Sequence, residues 1–207
     1  LDAEDIELSE EDAKKLLRKI DIYLLPLISM LYCFQYMDKV TSSAAAIMGF
    51  REYYNMKGDM YSWVGSAFYF GYLFFEFPVS AALQRFPVAK TTSIFIIIWG
   101  VILCLHSVAA NYAGILVLRT LLGAFEASVT PAMVIITGQW YKKEEQFLRT
   151  AIWFSFNGLG TILSSSIAYG LAKHAGSYSM EAWKVLFIIT GCMTVAIGFA
   201  IFFHVPD

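Results

Sequence analysis

Charged residues are scarce in this sequence of 207 residues. They make up 15% of the chain, against about 25% in an average soluble domain, and hydrophobic residues make up 58%, against about 45–50%. A water-soluble globule of this length has one interior, which could not hold so much apolar side chain without leaving an adhesive surface. The composition therefore excludes a single soluble domain and predicts that much of the surface contacts lipid.

The sequence also lacks an excess of basic charge and the common motifs of enzymes. Fifteen Lys and Arg against seventeen Asp and Glu give a net charge of −2, which excludes the electrostatic footprint of a nucleic-acid-binding protein. No HExxH, GxSxG or P-loop pattern occurs. The three cysteines are odd in number, far apart and embedded in apolar runs, so they indicate neither a disulfide framework nor a metal site. We therefore expect no enzyme, no metal and no nucleic-acid partner.

Long stretches without charge indicate where the chain can cross a membrane, because about 20 apolar residues span ~30 Å of hydrocarbon. Three stretches contain no Asp, Glu, Lys or Arg: 28 residues between Lys90 and Arg119, 23 between Arg149 and Lys173, and 22 between Lys184 and Asp207. Three further spans, over residues 22–47, 61–82 and 113–140, carry charges inside them. The sequence therefore predicts an all-α membrane protein with six transmembrane helices.

Lys and Arg in the connecting segments predict the orientation of these helices, because cytoplasmic loops carry more of them. With the N-terminus inside, nine of these residues lie on the cytoplasmic side and four on the other, so both termini are expected in the cytoplasm. The nine are Lys14, Lys15, Arg18, Lys19, Arg85, Lys90, Lys142, Lys143 and Arg149, and the four are Arg51, Lys57, Lys173 and Lys184.

The first 20 residues are expected to form a segment of their own. They begin with acidic residues and contain no apolar core of a signal peptide before Asp21. Ser9 precedes three acidic residues, a pattern typical of a helix N-cap, and residues 13–20 are amphipathic. We therefore divide the chain into a cytoplasmic amphipathic segment, residues 1–20, and a six-helix transmembrane bundle, residues 21–207.

Five ionisable residues lie inside the predicted spans, where each charge costs roughly 2.5–3.5 kcal/mol near a helix centre. They are Asp38, Lys39, Glu76, Arg119 and Glu126. Asp38, Lys39 and Glu126 lie where snorkelling to the interface is least available, so we interpret them as functional. Glu76 lies near the inner end of its helix and fits a structural charge that reaches the interface equally well. Three acidic and two basic groups sum to −1, so one bound proton neutralises the set.

Other polar side chains accompany these charges in the same spans. Arg119 and Glu126 are seven residues apart, on one face of a helix but ~10 Å apart along its axis, so each needs another partner. We select Tyr72 and Asn157 as candidate substrate contacts, although close helix packing explains most of the small and polar residues here. His106, alone in an apolar run, is interpreted as a buried structural residue.

Short motifs spread over nearly the whole chain form a recognisable set. They are Arg18-Lys19-Ile20-Asp21 leading into Leu24-Leu25-Pro26-Leu27, Gln35-Tyr36-Met37-Asp38-Lys39, Phe75-Glu76-Phe77-Pro78, Arg119-Thr-Leu-Leu-Gly123-Ala-Phe-Glu126 with Pro131, and Trp140-Tyr141-Lys142-Lys143-Glu144-Glu145-Gln146 with Arg149 and Trp153. With them the chain resembles the amino-terminal half of a major facilitator superfamily transporter. More narrowly it resembles the anion:cation symporter family, whose fungal branch includes allantoate, nicotinate, pantothenate and biotin permeases.

The resemblance implies roles for single residues. Asp38 and Glu126 match the family's proton-coupling carboxylates, and Lys39 matches the basic residue that holds the substrate anion, with Arg119 helping at longer range. Lysine replaces the commoner arginine at position 39, which favours a point-charge contact over a bidentate one. The loop Gln84-Arg85-Phe86-Pro87 lacks the superfamily's usual aspartate, so Arg85, like Glu76, is expected to be a gating or structural charge.

The resemblance also implies an architecture. The superfamily uses twelve helices, in halves built from 3+3 inverted repeats, whereas this sequence ends after six. The expected partner is therefore a C-terminal six-helix half, with a second copy of the chain as the lesser alternative.

The implied function is that of a proton-coupled symporter in the plasma membrane. Its substrate would be a small organic anion such as allantoate, ureidosuccinate or a carboxylate vitamin, and the proton is the coupling ion. A carboxyl in a low-dielectric cavity favours its neutral form, so Asp38 or Glu126 takes up a proton and thereby frees Lys39 for the substrate anion. The alternative is a non-transporting membrane receptor or scaffold built on a half-transporter fold.

Overall fold

The computed structural model describes residues 9–205, which are helical almost throughout and contain no β-strand. The α-helices are α1 (Glu10–Ala45), α2 (Arg51–Tyr53), α3 (Met60–Arg85), α4 (Val88–Leu105), α5 (Tyr112–Glu126), α6 (Val129–Trp140), α7 (Lys143–Lys173) and α8 (Ala182–His204). A π-helical turn (Ala46–Phe50) joins α1 to α2, and 3₁₀ turns follow α4 (His106–Val108) and α7 (Ala175–Ser177).

These elements form the six long helical rods that the sequence predicts: α1, α3, α4, α5 with α6, α7, and α8. Four rods of the described chain are long and apolar enough to cross a membrane: Glu10–Tyr53, Val88–Val108, Tyr112–Trp140 and Ala182–His204. The other two, α3 and α7, have 26 and 31 residues, which is also long enough. They are more polar, because α3 contains Glu76 and α7 contains Asn157 and several serines.

The pairing of the rods has the two-fold pattern of a 3+3 repeat. The most extensive contacts join α1 to α7, α3 to α5 and α4 to α8, and lesser ones join α1 to α8 and α4 to α5. In a 3+3 repeat, the rods α1, α3 and α4 correspond in order to α5 with α6, α7 and α8. Under this exchange the α1–α7 contact becomes α5–α3, the α1–α8 contact becomes α5–α4, and the α4–α8 contact stays the same. The set of contacts is therefore preserved by the exchange, as the resemblance implies.

Glycines allow these rods to approach closely. A Cβ atom on Gly71 would overlap the carbonyl oxygen of Thr120, and one on Gly123 would overlap that of Phe68, so the backbones of α3 and α5 touch. Gly160 allows the same close approach between α7 and α1, because a Cβ atom there would overlap the carbonyl oxygen of Cys33. Small residues at such contacts are typical of membrane helices, which associate through van der Waals packing. These contacts fix α5, and with it the candidate site, against α3.

The fourth rod breaks directly after Glu126. Pro131 has no N–H and cannot continue the helical hydrogen bonding to the carbonyl of Ala127. Accordingly, α5 ends at Glu126 and α6 begins three residues later, while the Ser128 hydroxyl donates to the carbonyl oxygen of Phe125 at 2.9 Å. The helix is thus interrupted at residues 127 and 128, close to Pro131, which leaves Glu126 at the C-terminal end of α5.

The beginning of α1 differs from the expected division at residue 20. Ser9 is the predicted N-cap, since its Oγ accepts a hydrogen bond from the backbone N–H of Asp12 at 3.2 Å. However, α1 runs on to Ala45 without a break, even at Pro26, so residues 13–20 form the first part of a spanning helix rather than a helix of their own. Residues 1–8 lie outside the described part of the chain, and the domain boundary stays a prediction.

Candidate functional site

Charged side chains from α1 and α5 meet at one open cavity of the bundle. The cavity has a volume of ≈ 140 Å³ and is lined by Asp38, Lys39, Ser42, Gly65, Phe68, Tyr69, Arg119 and Glu126. Four of the residues selected from the sequence, two carboxylates and two cations, therefore share one cavity although they come from two different helices.

Lys39 and Glu126 form an ion pair across this cavity. The Nζ atom of Lys39 lies 3.8 Å from Oε1 of Glu126, and the side chain of Glu126 is completely buried while that of Lys39 is 38% exposed. The same ammonium lies 5.4 Å from the ring centroid of Tyr36. A fully buried carboxylate loses the hydration that stabilises its charge in water. Glu126 therefore needs either Lys39 or a proton to compensate its charge.

Asp38 is held by a residue from a third helix. The indole Nε1 of Trp99, on α4, donates a hydrogen bond to Oδ2 of Asp38 at 2.9 Å, and both side chains are buried. The other oxygen, Oδ1, accepts no hydrogen bond from any group in residues 9–205. Sequence reasoning missed Trp99, because an apolar residue in a hydrophobic run gives no local signal of a polar contact.

Arg119 is buried and packs on an aromatic ring. Its Cζ lies 5.5 Å from the ring centroid of Phe187 on α8, a cation–π distance. Phe187 in turn stacks on His106, with centroids 5.1 Å apart and rings tilted by 21°. His106 is buried, with Nδ1 2.8 Å from the carbonyl oxygen of Ile102, which agrees with the structural role expected for it.

The other selected residues are not among those that line the cavity. Tyr72, half-buried on α3, packs beside Phe68, and it is the neighbouring Tyr69 that lines the cavity. Asn157 is half-buried on α7, Glu76 is half-buried on α3, and Arg85 is exposed at the C-terminal end of α3. The cavity therefore unites Asp38, Lys39, Arg119 and Glu126 and is lined without contribution from these other four.

Besides the ion pair in the cavity, another ion pair is present, and it joins α1 to α7. Arg149 donates from Nε to Oδ1 of Asp21 at 3.2 Å and from Nη2 to Oδ2 at 2.8 Å, a bidentate pair. Its guanidinium lies 5.4 Å from the ring centroid of Tyr141. Burial, with the nearby Asp21 carboxylate, raises the pKa of Tyr141, so this phenol stays neutral under the guanidinium. The pairing of residues 21 and 149 has no local signature in the sequence.

Two cysteines that are far apart in sequence are neighbours in the fold. The thiol of Cys104, on α4, lies 3.9 Å from the carbonyl oxygen of Ile188 on α8, one turn before Cys192, and the two thiols interact. All three cysteines are free. The separation of Cys104 and Cys192 along the chain therefore did not predict their separation in space, because α4 and α8 pack extensively against each other.

Known proteins with similar sequences are transporters. The family model of the Major Facilitator Superfamily matches residues 28–207. The chain is 50% identical to the "Uncharacterized transporter C417.10" of Schizosaccharomyces pombe over 207 residues, covering 100% of this chain and 40% of that protein. It is 49% identical to the allantoate permease of Saccharomyces cerevisiae over 209 residues, covering 100% of this chain and 38% of the permease. The thiamine pathway transporter THI73 of the same yeast is 35% identical over 96% of the chain.

A solved structure shares the fold. A bacterial homolog of the human lysosomal transporter Spinster, in an inward-facing and occupied conformation, superposes with a TM-score of 0.80 at 16% sequence identity. The match covers 89% of this chain and 44% of the bacterial one. The chain spans about two fifths of the length of the curated relatives and corresponds to the amino-terminal half of the longer proteins.

Proposed function

The chain belongs to the major facilitator superfamily, and we propose that it forms the amino-terminal part of a proton-coupled symporter for a small organic anion. Transporter relatives support the general role, and the charged cavity supports the coupling and the class of substrate. The remaining six-helix half would close the cavity from the other side, as transport by rocking of two halves requires. We further propose the plasma membrane as the location, with both termini in the cytoplasm.

The ion pair between Lys39 and Glu126 is the observation that carries this proposal. A substrate carboxylate and the Glu126 carboxylate are both anions that compete for the same ammonium. Protonation of Glu126 removes one competitor, so that Lys39 is free to bind the substrate anion. Proton and substrate then occupy the cavity together and leave it closer to neutral, which lowers the free energy of closing it off from water.

Asp38 and Arg119 extend the same electrostatic arrangement. Arg119 supplies a second cation, which is buried, and Asp38 a second carboxylate that can take a proton. Tyr69 and Phe68 give the cavity an aromatic wall suited to the less polar part of a substrate. Tyr72 and Asn157 stay candidates for substrate contact, and Glu76 and Arg85 for gating or structural charge. Allantoate is the first substrate to test, because the allantoate permease of yeast is 49% identical over the whole chain.

Transport by a chimera tests this function. This chain replaces the matching segment of the S. cerevisiae allantoate permease, and uptake of labelled allantoate is measured in cells that lack their own permease. We expect accumulation against the concentration gradient when the outside is acidic, and its loss when a protonophore collapses the proton gradient. The intact permease serves as the positive control. Accumulation that persists without a proton gradient would contradict the proposal.

A further inference from the structure

One hydrogen bond distinguishes the two oxygens of Asp38. Oδ2 accepts the indole N–H of Trp99 at 2.9 Å, whereas Oδ1 accepts nothing from residues 9–205. Trp99 is fully buried and Asp38 is 2% exposed, so water does not compete freely for this contact. The two oxygens of one carboxyl group therefore differ in what they can bind.

The chemistry of the indole decides which oxygen can carry a proton. An indole N–H only donates hydrogen bonds and never accepts them. While the contact exists, Oδ2 must present a lone pair, both in the ionised carboxylate and in the neutral acid. In the neutral acid the carbonyl oxygen is a much stronger acceptor than the hydroxyl oxygen, so the contact favours Oδ2 as the carbonyl oxygen. The proton of the neutral acid consequently belongs on Oδ1.

The indole is fixed by the packing of its helix. Gly100, the next residue, lies where α4 and α8 come closest: a Cβ atom there would stand 2.7 Å from Cγ2 of Val195 and 2.9 Å from the carbonyl oxygen of Gly191. Neither helix can shift at this point without breaking tight contacts. The backbone that carries Trp99 is therefore held in place by the packing of α4 on α8. Its hydrogen bond to Oδ2 also restricts rotation of the Asp38 side chain.

We propose that Trp99 is a positioning residue for Asp38, holding Oδ2 so that a proton bound by Asp38 resides on Oδ1. The functional meaning rests on the proposed role of Asp38 as a proton carrier. The other titratable or charged groups around Asp38 are Lys39 on α1, Arg119 and Glu126 on α5, and Tyr61 on α3, which faces Arg119. Trp99 is an uncharged contact, so its removal changes the hydrogen bonding of Asp38 and leaves all of these charges in place.

Infrared spectroscopy of the purified chain in lipid nanodiscs tests the contact without any need for transport. The C=O stretch of protonated Asp38 is the band that appears on acidification and is missing in Asp38→Asn. In Trp99→Phe, which keeps an aromatic ring but loses the N–H, this band should move to higher wavenumber, because its oxygen no longer accepts a hydrogen bond.

Trp153→Phe is the matched control. Its indole is also buried, but its Nε1 has no hydrogen-bond partner in the described chain, so the same change of side chain should leave the Asp38 band unmoved. An unmoved band in Trp99→Phe, or equal shifts in both variants, would overturn the proposal. So would the absence of the band from the wild-type chain at every pH at which circular dichroism shows it folded.

A second measurement avoids any change at Trp99. Among the five indole N–H resonances of the ¹⁵N-labelled wild-type chain, one should move as the pH is varied and should stop doing so in Asp38→Asn. If none follows the pH, the proposal is wrong. A chimera that fails to accumulate allantoate while the band and the resonance behave as expected would remove the proposed function and leave the role of Trp99 toward Asp38 standing.

Discussion

Lys39 of α1 and Glu126 of α5 place their charged atoms 3.8 Å apart, although 87 positions separate them and only Glu126 is fully buried. The exposed side of this ion pair is the ammonium, which can therefore meet a solute without prior movement of the buried carboxylate. A substrate anion that reaches the cavity thus encounters a cation that is already partly engaged. Under the proposed function, we expect the anion to bind more strongly when Glu126 is neutral, because the carboxylate then no longer competes for the ammonium of Lys39.

Replacing Lys39 removes the cation of this pair. In the chimera, Lys39→Ala should weaken allantoate affinity about 10- to 100-fold, since a hydrogen bond to a charged group contributes about 1.5–3 kcal/mol. Lys39→Arg should keep part of the affinity, because the charge survives and only the geometry changes. The affinity is measured as the concentration of unlabelled allantoate that halves labelled uptake. Lys57→Ala, at an exposed turn, is the control, and equal affinities in the two alanine variants would exclude Lys39 from the site.

Gly123 tests whether the contact between α3 and α5 supports the cavity. A methyl group there would overlap the carbonyl oxygen of Phe68, so Gly123→Ala should force the helices apart and destabilise the fold by about 1–3 kcal/mol. The thermal transition of the purified chain in detergent measures the effect. Gly138→Ala is the matched control, because no atom lies within 4 Å of a Cβ at that position. Equal transition temperatures in the two variants would contradict the close packing.

The Asp21–Arg149 pair is expected to stabilise the packing of α1 on α7. Its side chains are only 29% and 13% exposed and its geometry is bidentate, so a double-mutant cycle with Asp21→Asn and Arg149→Gln should give a coupling energy of about 1–3 kcal/mol. The pair between Asp12 and Lys15 provides the comparison. Those side chains are 57% and 74% exposed, and we expect a coupling energy near the lower end of ~0–1 kcal/mol. Similar coupling energies for both pairs would show that burial is not the deciding factor.

Cysteine labelling tests the proposed topology. In a chain from which Cys33, Cys104 and Cys192 have been removed, Lys142→Cys should react with a membrane-impermeant maleimide only after the cells are opened. Lys57→Cys should react in intact cells. The expectation follows from the nine-to-four distribution of Lys and Arg between the two sides. Reaction of both positions in intact cells would be incompatible with the six-span arrangement.

Hydrophobic runs predicted the six helical rods because burial in lipid demands long uncharged segments, whatever the details of packing. The break in the fourth rod was not predictable from proline alone, since Pro131 lacks the N–H that would continue a helix but Pro26 and Pro78 lie inside unbroken helices. The start of α1 was not predictable either, because an amphipathic segment can continue directly into a spanning helix, and α1 runs unbroken from Glu10 to Ala45 although Pro26 removes one backbone donor.

The candidate site was predictable as a set of residues but only partly as an arrangement. Charges inside apolar spans are costly, so Asp38, Lys39, Arg119 and Glu126 stand out in the sequence. Their partners do not stand out, because Trp99 is an apolar-looking residue whose one polar atom acts only after α4 has packed against α1. Tyr72 stays a prediction as a substrate contact, whereas Tyr69, three positions earlier on α3, is the tyrosine that lines the cavity, because the sequence does not fix the rotation of α3.

Glu126 provides the sharpest separation of coupling from binding. Replacing Glu126 with Gln mimics the permanently protonated side chain: size and hydrogen bonding are kept, and the titration is lost. If Glu126 carries the proton, the Glu126→Gln chimera should still exchange labelled for unlabelled allantoate, because the loaded form can move between its two conformations. It should fail to accumulate allantoate against a gradient, because no proton is linked to the return step. Both activities are measured in the same cells, with a protonophore as the reference for zero coupling.

Asp38→Asn distinguishes the two carboxylates. Asn keeps an oxygen that can accept the N–H of Trp99, so the packing around α4 should survive. If Asp38 also sets the position of Lys39, exchange and accumulation should both fall. If Asp38 is only a second proton site, this variant should behave like Glu126→Gln and keep its exchange.

A purely structural role for both carboxylates predicts poor folding and joint loss of the two activities in both variants, visible as low levels of chimera in the membrane. Accumulation by Glu126→Gln at the wild-type level would assign the proton to another group, and Asp38, with its free Oδ1, would be the first to examine.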